Sequence, residues 1–378
     1  MTKQYDYLVF IGRFQPFHNG HASVITKALE LANKVIVLAG SANRPRYWYN
    51  PFTFDERKQT ILEWYEAEFV EQKHDLTERM AMRNRLAILP LNDHLYHETA
   101  WETEVQTLVT GAIQTDGWRD KTKIGLIGHS KDRTSYYLKK FPQWGDEDVE
   151  AYTDRHTISA TQVRKSYFQT KAYRNSVDCT DKSFCLPGII PHLCPDSVCN
   201  FLMKHDDSEG FNYVMDEINF NESYQTGHAY ALNHPYKPKQ ITVDGVVIQS
   251  GHILVIRRRT QPGVGLLALP GGFLDDEETL FDAVLREIKE ETKLRVPPAQ
   301  LRKSLTKTHY FDDVHRDGRG RIITHAFLFE LEPTLELPKV KGNKEETKGA
   351  WWMPLSELDP RLFFGDHYFI IKYMLGMC

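Results

Sequence analysis

Ile11-Gly12-Arg13-Phe14-Gln15-Pro16-Phe17-His18-Asn19-Gly20-His21 decides how the first half of the chain is read. An apolar run, Tyr7–Ile11, leads into it. An amphipathic run, His21–Asn33, leads out, with Val24, Ile25, Ala28, Leu29 and Ala32 on one helical face. The stretch is therefore a strand-to-helix turn. Free backbone N–H groups and the helix dipole make such a turn an anion site. Two imidazoles three residues apart can both face a phosphate chain. Gly20 between them leaves no Cβ to obstruct a nucleotide. Arg13 and His18 can neutralise charge building on a leaving pyrophosphate. The bare pattern H-x-G-H also fits a glycine loop with two solvated histidines, and the strand-to-helix context argues against that.

The alternation continues outward. Val35–Ala39, Leu86–Leu91, Lys123–Ile127 and Glu150–Thr153 read as further strands. Thr53 opens a helix, with Glu56 completing a capping box. Strands alternating with helices imply a parallel sheet covered on both faces, with ligands at the C-terminal strand ends. After the fifth strand comes Ile158-Ser159-Ala160-Thr161-Gln162-Val163-Arg164. Ser159 and Gln162 form a capping box, so a second helix N-terminus opens there. Arg164 in its first turn can fold back on a phosphate. Alone this is an ordinary helix start; with the first motif it reads as the far wall of one triphosphate site.

The second half has a different rhythm. Ile241–Ile248 and His252–Arg258 read as strands joined by a turn at Ser250-Gly251. Thr279–Lys293 is a helix pattern, Ile322–Leu331 a strand and Phe363–Leu375 a final amphipathic helix. Local strand pairing around a few helices suggests α+β. Between the halves, residues 171–239 read as helices completing the first domain, then a linker ending in His234-Pro235-Tyr236-Lys237-Pro238-Lys239. The expected organisation is a first domain over 1–170, this connecting segment, and a second domain over 240–378. A length of 378 residues fits two to three domains.

Lys and Arg sum to 47 against 51 Asp and Glu, a formal charge of −4, which argues against a dedicated nucleic-acid binder. No apolar run reaches the roughly 18 residues of a membrane span. The early run Tyr7–Gly12 is shorter than a secretion signal's core. The five cysteines lack any C-x2-C pair and read as reduced thiols. The expectation is a cytoplasmic protein acting on small molecules, without membrane or nucleic-acid partners, with homo-oligomer formation left open.

The second half carries Gly272-x5-Glu278-x7-Arg286-Glu287-Ile288-x-Glu290-Glu291, preceded by Leu269-Pro270-Gly271. Glu287, Glu290 and Glu291 stand at i, i+3 and i+4, on one helical face. Carboxylates crowded in this way repel unless a cation compensates, and hard oxygen ligands suit Mg²⁺ or Mn²⁺. Arg286 can fork onto a neighbouring carboxylate. An exposed acidic helix is the plain alternative, and the spacing back to Glu278 and Gly272 argues against it.

H-x-G-H with I-S-x-T-x-x-R resembles the nucleotidylyltransferase superfamily, and GRFQPFHNGH resembles its nicotinamide mononucleotide (NMN) adenylyltransferase branch. The resemblance implies a Rossmann-like fold in which His18 and His21 contact ATP phosphates. It implies that Arg13 and Arg164 hold the β and γ groups, with Ser159 and Thr161 in support and Mg²⁺ bridging the phosphates. Gly12, Phe14 and Gly20 fall in the same nucleotide-binding string. Trp101, in Glu98-Thr99-Ala100-Trp101, resembles the family tryptophan that stacks on the nicotinamide ring, a cation that suits indole. Packing between helix and sheet is its equal rival. Asn50-Pro51-Phe52-Thr53 resembles a family loop near that pocket. Lys131, in Gly128-His129-Ser130-Lys131, sits at a strand end within reach of phosphates, or is a solvated surface lysine.

The second motif resembles the Nudix box, over roughly residues 240–378. The resemblance implies metal-assisted hydrolysis of a nucleoside diphosphate linked to another group. Its pattern has glycine where this chain has Lys293. That glycine ends the helix in a left-handed conformation, so a lysine there costs about 1–2 kcal/mol. Glu345 or Glu346 is a candidate general base. Arg316, Arg319 and Arg321 could grip the diphosphate or terminal ribose, or form a basic hairpin tip. The two resemblances together point to a bifunctional enzyme. Its first half makes NAD⁺ from NMN and ATP, and its second cleaves ADP-ribose to AMP and ribose 5-phosphate. Divalent metal is implied in both halves. The alternative is an adenylyltransferase with a Nudix module that senses a nucleotide and does no chemistry.

Overall fold

The structure is a computed structural model that describes residues 3–117, 122–128, 137, 139–148, 158–169, 186, 188–206, 208–227, 239–343 and 346–377. The chain divides into two compact units. One comprises Met1–Arg46, Asn50–Asp93 and Glu98–Asn212; the other comprises Tyr47–Tyr49, His94–His97 and Tyr213–Cys378. Two short segments of the first half thus group with the second unit.

The first unit is built on β1 (Tyr5–Gly12), β2 (Ala32–Ala39), β3 (Leu86–Pro90), β4 (Ile124–Gly128) and β5 (Gly145–Asp148). They form a parallel sheet in the order β3-β2-β1-β4-β5. The order reverses direction at β1, so the crevice beyond the C-terminal ends of β1 and β4 is the topological switch point. The strand expected over Glu150–Thr153 lies outside the described residues; the β5 strand precedes it.

Helix α1 (Asn19–Leu31) follows β1 and buries Ala22, Val24, Ile25, Ala28 and Leu29. It starts two residues before the amphipathic run, because His18 already caps it. Helix α2 (Phe54–Tyr65) has Thr53 as its cap, and the reciprocal Glu56 bond completes the expected box. Helices α3 (Leu76–Arg83) and α4 (Glu98–Thr115) flank β3 in the chain. Val105, Val109 and Ile113 of α4 pack on Val9, Ile11, Ile36 and Leu38 of the sheet. Full burial of each such side chain contributes roughly 1.5–3 kcal/mol. Helix α5 (Ala160–Gln169) is followed by α6 (Ile190–Leu193), α7 (Asp196–His205) and α8 (Glu209–Gly227).

The second unit holds β6 (Gln240–Gln249), β7 (His252–Arg258), β8 (Leu267–Ala268), β9 (Gly271–Phe273), β10 (Leu305–Phe311), β11 (Ile322–Glu330) and β12 (Thr347–Pro354). Its mixed sheet runs β10-β11-β6-β7-β12, with β8 on β7 and β9 on β6. Strands β6 and β11 are parallel, and the other pairs are antiparallel. Ser250 and Gly251 both take positive φ, 47° and 75°, which makes the tight hairpin turn expected between β6 and β7.

Helix α9 (Leu280–Thr292) sets Ala283, Val284 and Ile288 on one sheet face, against Val243, Val247 and Leu254. After the short α10 (Pro298–Lys303), the closing helix α11 (His367–Leu375) places Ile370, Ile371 and Met374 with Val246 and Val255 in a second core. The final helix starts four residues later than expected, because Phe363 is bridged to Leu267. Among the described residues, no helix is long and apolar enough to cross a membrane.

Candidate active sites

The loop leaving β1 converges on the start of α1. His18 is the N-cap residue of α1 and is buried; its backbone N–H donates to Nδ1 of His21 at 3.3 Å. The two rings stack with centroids 3.7 Å apart. An accepting Nδ1 assigns the proton of a neutral His21 to Nε2, the nitrogen not engaged in that bond. Gly20 also relieves crowding within the chain itself. A Cβ there would come within 3.1 Å of the His18 ring, so the space is filled by the chain's own imidazole.

Phe14 has φ 52° and a fully buried ring set against Phe10, Phe17 and His21. Its side chain builds the loop, and only its backbone can face a nucleotide. Gly12 ends β1 beneath that ring, and the Arg13 side chain is exposed.

The second motif meets this loop. Ser159 Oγ accepts from Thr161 N–H at 3.2 Å, capping α5. Arg164 is buried; it donates to the Gln15 carbonyl and, at 3.1 Å, to Thr161 Oγ1. Arg164 therefore braces the loop as well as lying beside it. Trp101 sits on α4, packed at the edge of the core with Phe141 6.3 Å away. Lys131 lies outside the described residues.

In the second unit, Arg286 makes a two-pronged bond to Glu278, Nε to Oε2 at 3.0 Å and Nη2 to Oε1 at 2.6 Å. It also donates to Glu287 at 2.7 Å and to Glu290 at 3.4 Å. Glu291 Oε2 accepts from Gly271 N–H at 2.9 Å. A Cβ on Gly272 would fall 2.3 Å from Glu287 Oε1, so only glycine leaves the carboxylate its place. The three glutamates differ in exposure. Glu287 and Glu291 are buried, while the Glu290 side chain is half exposed. Burial pushes the Glu291 carboxyl up to about 8 and raises that of Glu287.

A pocket opens beside this face, lined by Asp244, Arg258, Glu291, Arg316, Arg319 and Glu346 among others. Two of the three expected arginines reach it. Each is already paired, Arg316 with Asp366 and Arg319 with Asp317. Arg321 instead bonds to Asp312 and is not among the lining residues. Of the two candidate bases, Glu346 lines the pocket, and Glu345 lies outside the described residues.

Family models match both halves: Cytidylyltransferase-like over residues 9–166 and NUDIX domain over 238–373. A nicotinamide/nicotinic acid mononucleotide adenylyltransferase of Acinetobacter baylyi is 32% identical over 220 residues, 58% of this chain and 97% of that protein. An ADP-ribose pyrophosphatase of Methanocaldococcus jannaschii is 38% identical over 137 residues, 36% of this chain and 73% of that one. The crystal structure of a bifunctional NMN adenylyltransferase/ADP ribose pyrophosphatase from Francisella tularensis, complexed with AMP and a Mn ion, covers 99% of both chains. Its identity is 32% and its TM-score 0.80. The chain belongs to the bifunctional NMN adenylyltransferase/ADP-ribose pyrophosphatase family.

This member of the bifunctional family departs from the Nudix pattern at Lys293, and the structure shows the cost directly. Lys293 has φ 49° and ψ 30°, left-handed, at the C-terminus of α9. Its N–H still closes the helix on the Lys289 carbonyl at 3.0 Å. Lys293 makes none of the hydrogen bonds that hold Glu287, Glu290 and Glu291.

The donor set fits a hard divalent cation. Two buried carboxylates and a half-exposed third share one helical face, and such oxygen ligands suit Mg²⁺ or Mn²⁺. Among the described residues, no three His, Cys, Asp or Glu side chains already form a closed cage. Arg286 draws Glu287 and Glu290 toward itself, and Mg²⁺ usually retains several waters in any case.

Sequence reasoning missed three residues. Gln15 bonds to Asn50 and to both backbone groups of Phe52, pinning the Asn50–Thr53 loop, while its own carbonyl takes Arg164. Arg57, 2% exposed, donates to the carbonyls of Arg13, Gly40 and Thr53, clamping the ends of β1 and β2. Its signal was available: Arg57 shares the buried face of α2 with Thr60, Ile61 and Trp64. Arg258 lines the second pocket with its guanidinium 4.5 Å from the Phe364 ring; no local pattern announced it.

Proposed function

We propose that the first unit transfers the adenylyl group of ATP to NMN, giving NAD⁺ and pyrophosphate, and that the second hydrolyses ADP-ribose to AMP and ribose 5-phosphate. One observation carries this reading. Both motif sets assemble locally, each on its own sheet, in a chain matched over 99% of its length by a bifunctional structure.

In the first reaction the NMN phosphate is already a nucleophile, so alignment and charge stabilisation suffice. ATP arrives with its own Mg²⁺. His21 Nε2 and the backbone N–H groups opening α1 receive the phosphates; Arg13 adds charge from the exposed side of the loop. Arg164, Thr161 and Ser159 hold the loop and the start of α5 in register. Trp101 offers an indole to the nicotinamide ring.

In the second reaction Glu287, Glu290 and Glu291 would hold Mg²⁺ or Mn²⁺, which supplies Lewis acidity and positive charge at the pyrophosphate. Arg286 fixes Glu287 and Glu278. Glu346 stands at the pocket as the acceptor of a water proton, and Arg316 and Arg319 face the substrate's anionic groups. A sensing module without chemistry would not need this carboxylate face with its arginine fork. We assign the adenylyltransferase domain to residues 1–170 and the Nudix domain to 240–378, with 171–239 between them. The substrates imply a small-molecule enzyme of the cytoplasm.

The test is direct. The chain is incubated with ATP, NMN and Mg²⁺, and separately with ADP-ribose and Mg²⁺ or Mn²⁺, and the products are separated by chromatography. NAD⁺ with pyrophosphate, and AMP with ribose 5-phosphate, are expected. ADP-ribose returned intact under every metal would overturn the hydrolase half.

A further inference from the structure

Tyr96 belongs to no motif and lies in segment His94–His97, which groups with the second unit. Its φ is 67°, a left-handed conformation that a side chain with a Cβ rarely adopts. Such conformations persist where surrounding contacts over-determine them, and they gather at functional sites. The contacts here are specific. The phenol donates to Asp366 Oδ2 at 2.5 Å, and the ring sits edge-on to Phe311 with centroids 4.8 Å apart. All three residues belong to the second unit.

Asp366 is 1% exposed and carries a second, larger load. Arg316 donates to it twice, Nε to Oδ2 and Nη2 to Oδ1, both at 3.0 Å. Oδ2 therefore receives two donors, one from the phenol and one from the guanidinium. Arg316 Nη2 also lies 4.0 Å from Oδ2 of Asp244, a carboxylate held in turn by Thr324 Oγ1 at 2.6 Å. Arg316, Asp366 and Asp244 all line the pocket that contains Glu291. The guanidinium thus has a rival carboxylate within reach. Which of the two it serves depends on how firmly Asp366 is held.

We propose that Tyr96 is a positioning residue of the hydrolase pocket: its phenol fixes Asp366, which keeps Arg316 aimed along the pocket wall rather than turned to Asp244. This rests on the reading above that Arg316 receives an anionic part of ADP-ribose. Loss of the phenol leaves Arg316 as the one donor described on Oδ2, so the carboxylate and the guanidinium can shift together as a pair.

The experiment uses the full chain. Tyr96→Phe deletes one oxygen and keeps the ring on Phe311. The KM for ADP-ribose should rise about tenfold, the effect of one misplaced charge-assisted hydrogen bond, with kcat changed less than about threefold. NAD⁺ synthesis should stay within about twofold. In an Arg316→Ala background, Tyr96→Phe should add nothing, since the two act in series. Asp366→Asn also takes away the counter-charge of Arg316, so in a folded variant it should raise the KM further than Tyr96→Phe does. An unchanged KM, full multiplication of the two effects, or equal loss of both activities would overturn the proposal.

A second readout separates its failure from failure of the substrate assignment. Exchange of the Arg316 Nε proton, followed by NMR, should accelerate in Tyr96→Phe whatever the substrate is. Unchanged exchange refutes the brace; accelerated exchange in a chain that neither binds nor cleaves ADP-ribose refutes the substrate alone.

Discussion

The two sites meet phosphate with opposite electrostatics. At the end of β1 the chain presents donors: helix N–H groups, His21, Arg13 and, behind them, Arg164. On α9 it presents acceptors: Glu287, Glu290 and Glu291, two of them buried. On the proposed reading, the first arrangement stabilises a departing pyrophosphate with the chain's own groups. The second gathers like charges on one helical face, and burial first, then Glu287 nearby, raises the proton affinity of Glu291. Each site also holds an arginine that bonds to the chain itself, Arg57 buried and Arg286 partly exposed. Arg57 grips three carbonyls, whereas Arg286 grips three carboxylates and one carbonyl. The lesson is that donors can be held by backbone, while clustered acceptors need a counter-charge to keep their geometry.

The sharpest break of this comparison is His21→Ala. If His21 donates to developing charge as proposed, its loss should lower NAD⁺ synthesis on the order of 10²–10³-fold while ADP-ribose hydrolysis is unchanged. Product chromatography on one preparation gives both numbers. A variant with near-normal NAD⁺ synthesis would sink the donor reading.

Glu290→Gln is the reciprocal case. It keeps shape and deletes one charge from the carboxylate face. Hydrolysis should drop by about 10²-fold and require more Mn²⁺ for half activity, with NAD⁺ synthesis near wild type. If both activities declined together in a folded protein, the two chemistries would not be separable.

Trp101→Ala tests a smaller effect. Loss of indole stacking on a cationic ring should raise the KM for NMN roughly fivefold to tenfold and leave that for ATP nearly unchanged. Equal changes in both constants with a lower Tm would assign the indole to packing against Phe141 instead.

The smallest effect belongs to the helix end. Lys293→Gly should relieve the left-handed strain, stabilise the second unit by about 1 kcal/mol and raise Tm by a few degrees, with both activities intact. Calorimetry decides it; no gain in Tm would mean that the Lys289 carbonyl bond and neighbouring contacts already offset the cost.

Much of this was legible locally. The β1 turn, the α2 capping box, the β6–β7 hairpin and the α9 carboxylate face each depend on residues within a few positions of one another. Spacing alone places such groups on a common face or at a helix end. What the local reading left open has the opposite character. Phe14 looked like part of a nucleotide loop, but its ring goes inward because Gly12 and Phe10 leave room for it. Arg316 and Arg319 looked free to grip a ligand, and the fold pairs them with Asp366 and Asp317.

The sequence by itself determined the two sheet types, the helix starts capped by Thr53, Ser159 and Thr279, and the residue types gathered at each motif, because periodicity, caps and short motifs act over one or two turns of chain. Only the tertiary structure decided which carboxylates are buried, which arginines are already engaged, and that Gln15 and Tyr96 anchor groups 35 and 270 residues away. Those outcomes depend on which side chains exclude water from one another. Desolvation makes an unpaired buried charge intolerable, so the fold selects partners by proximity in space, which no spacing along the chain encodes.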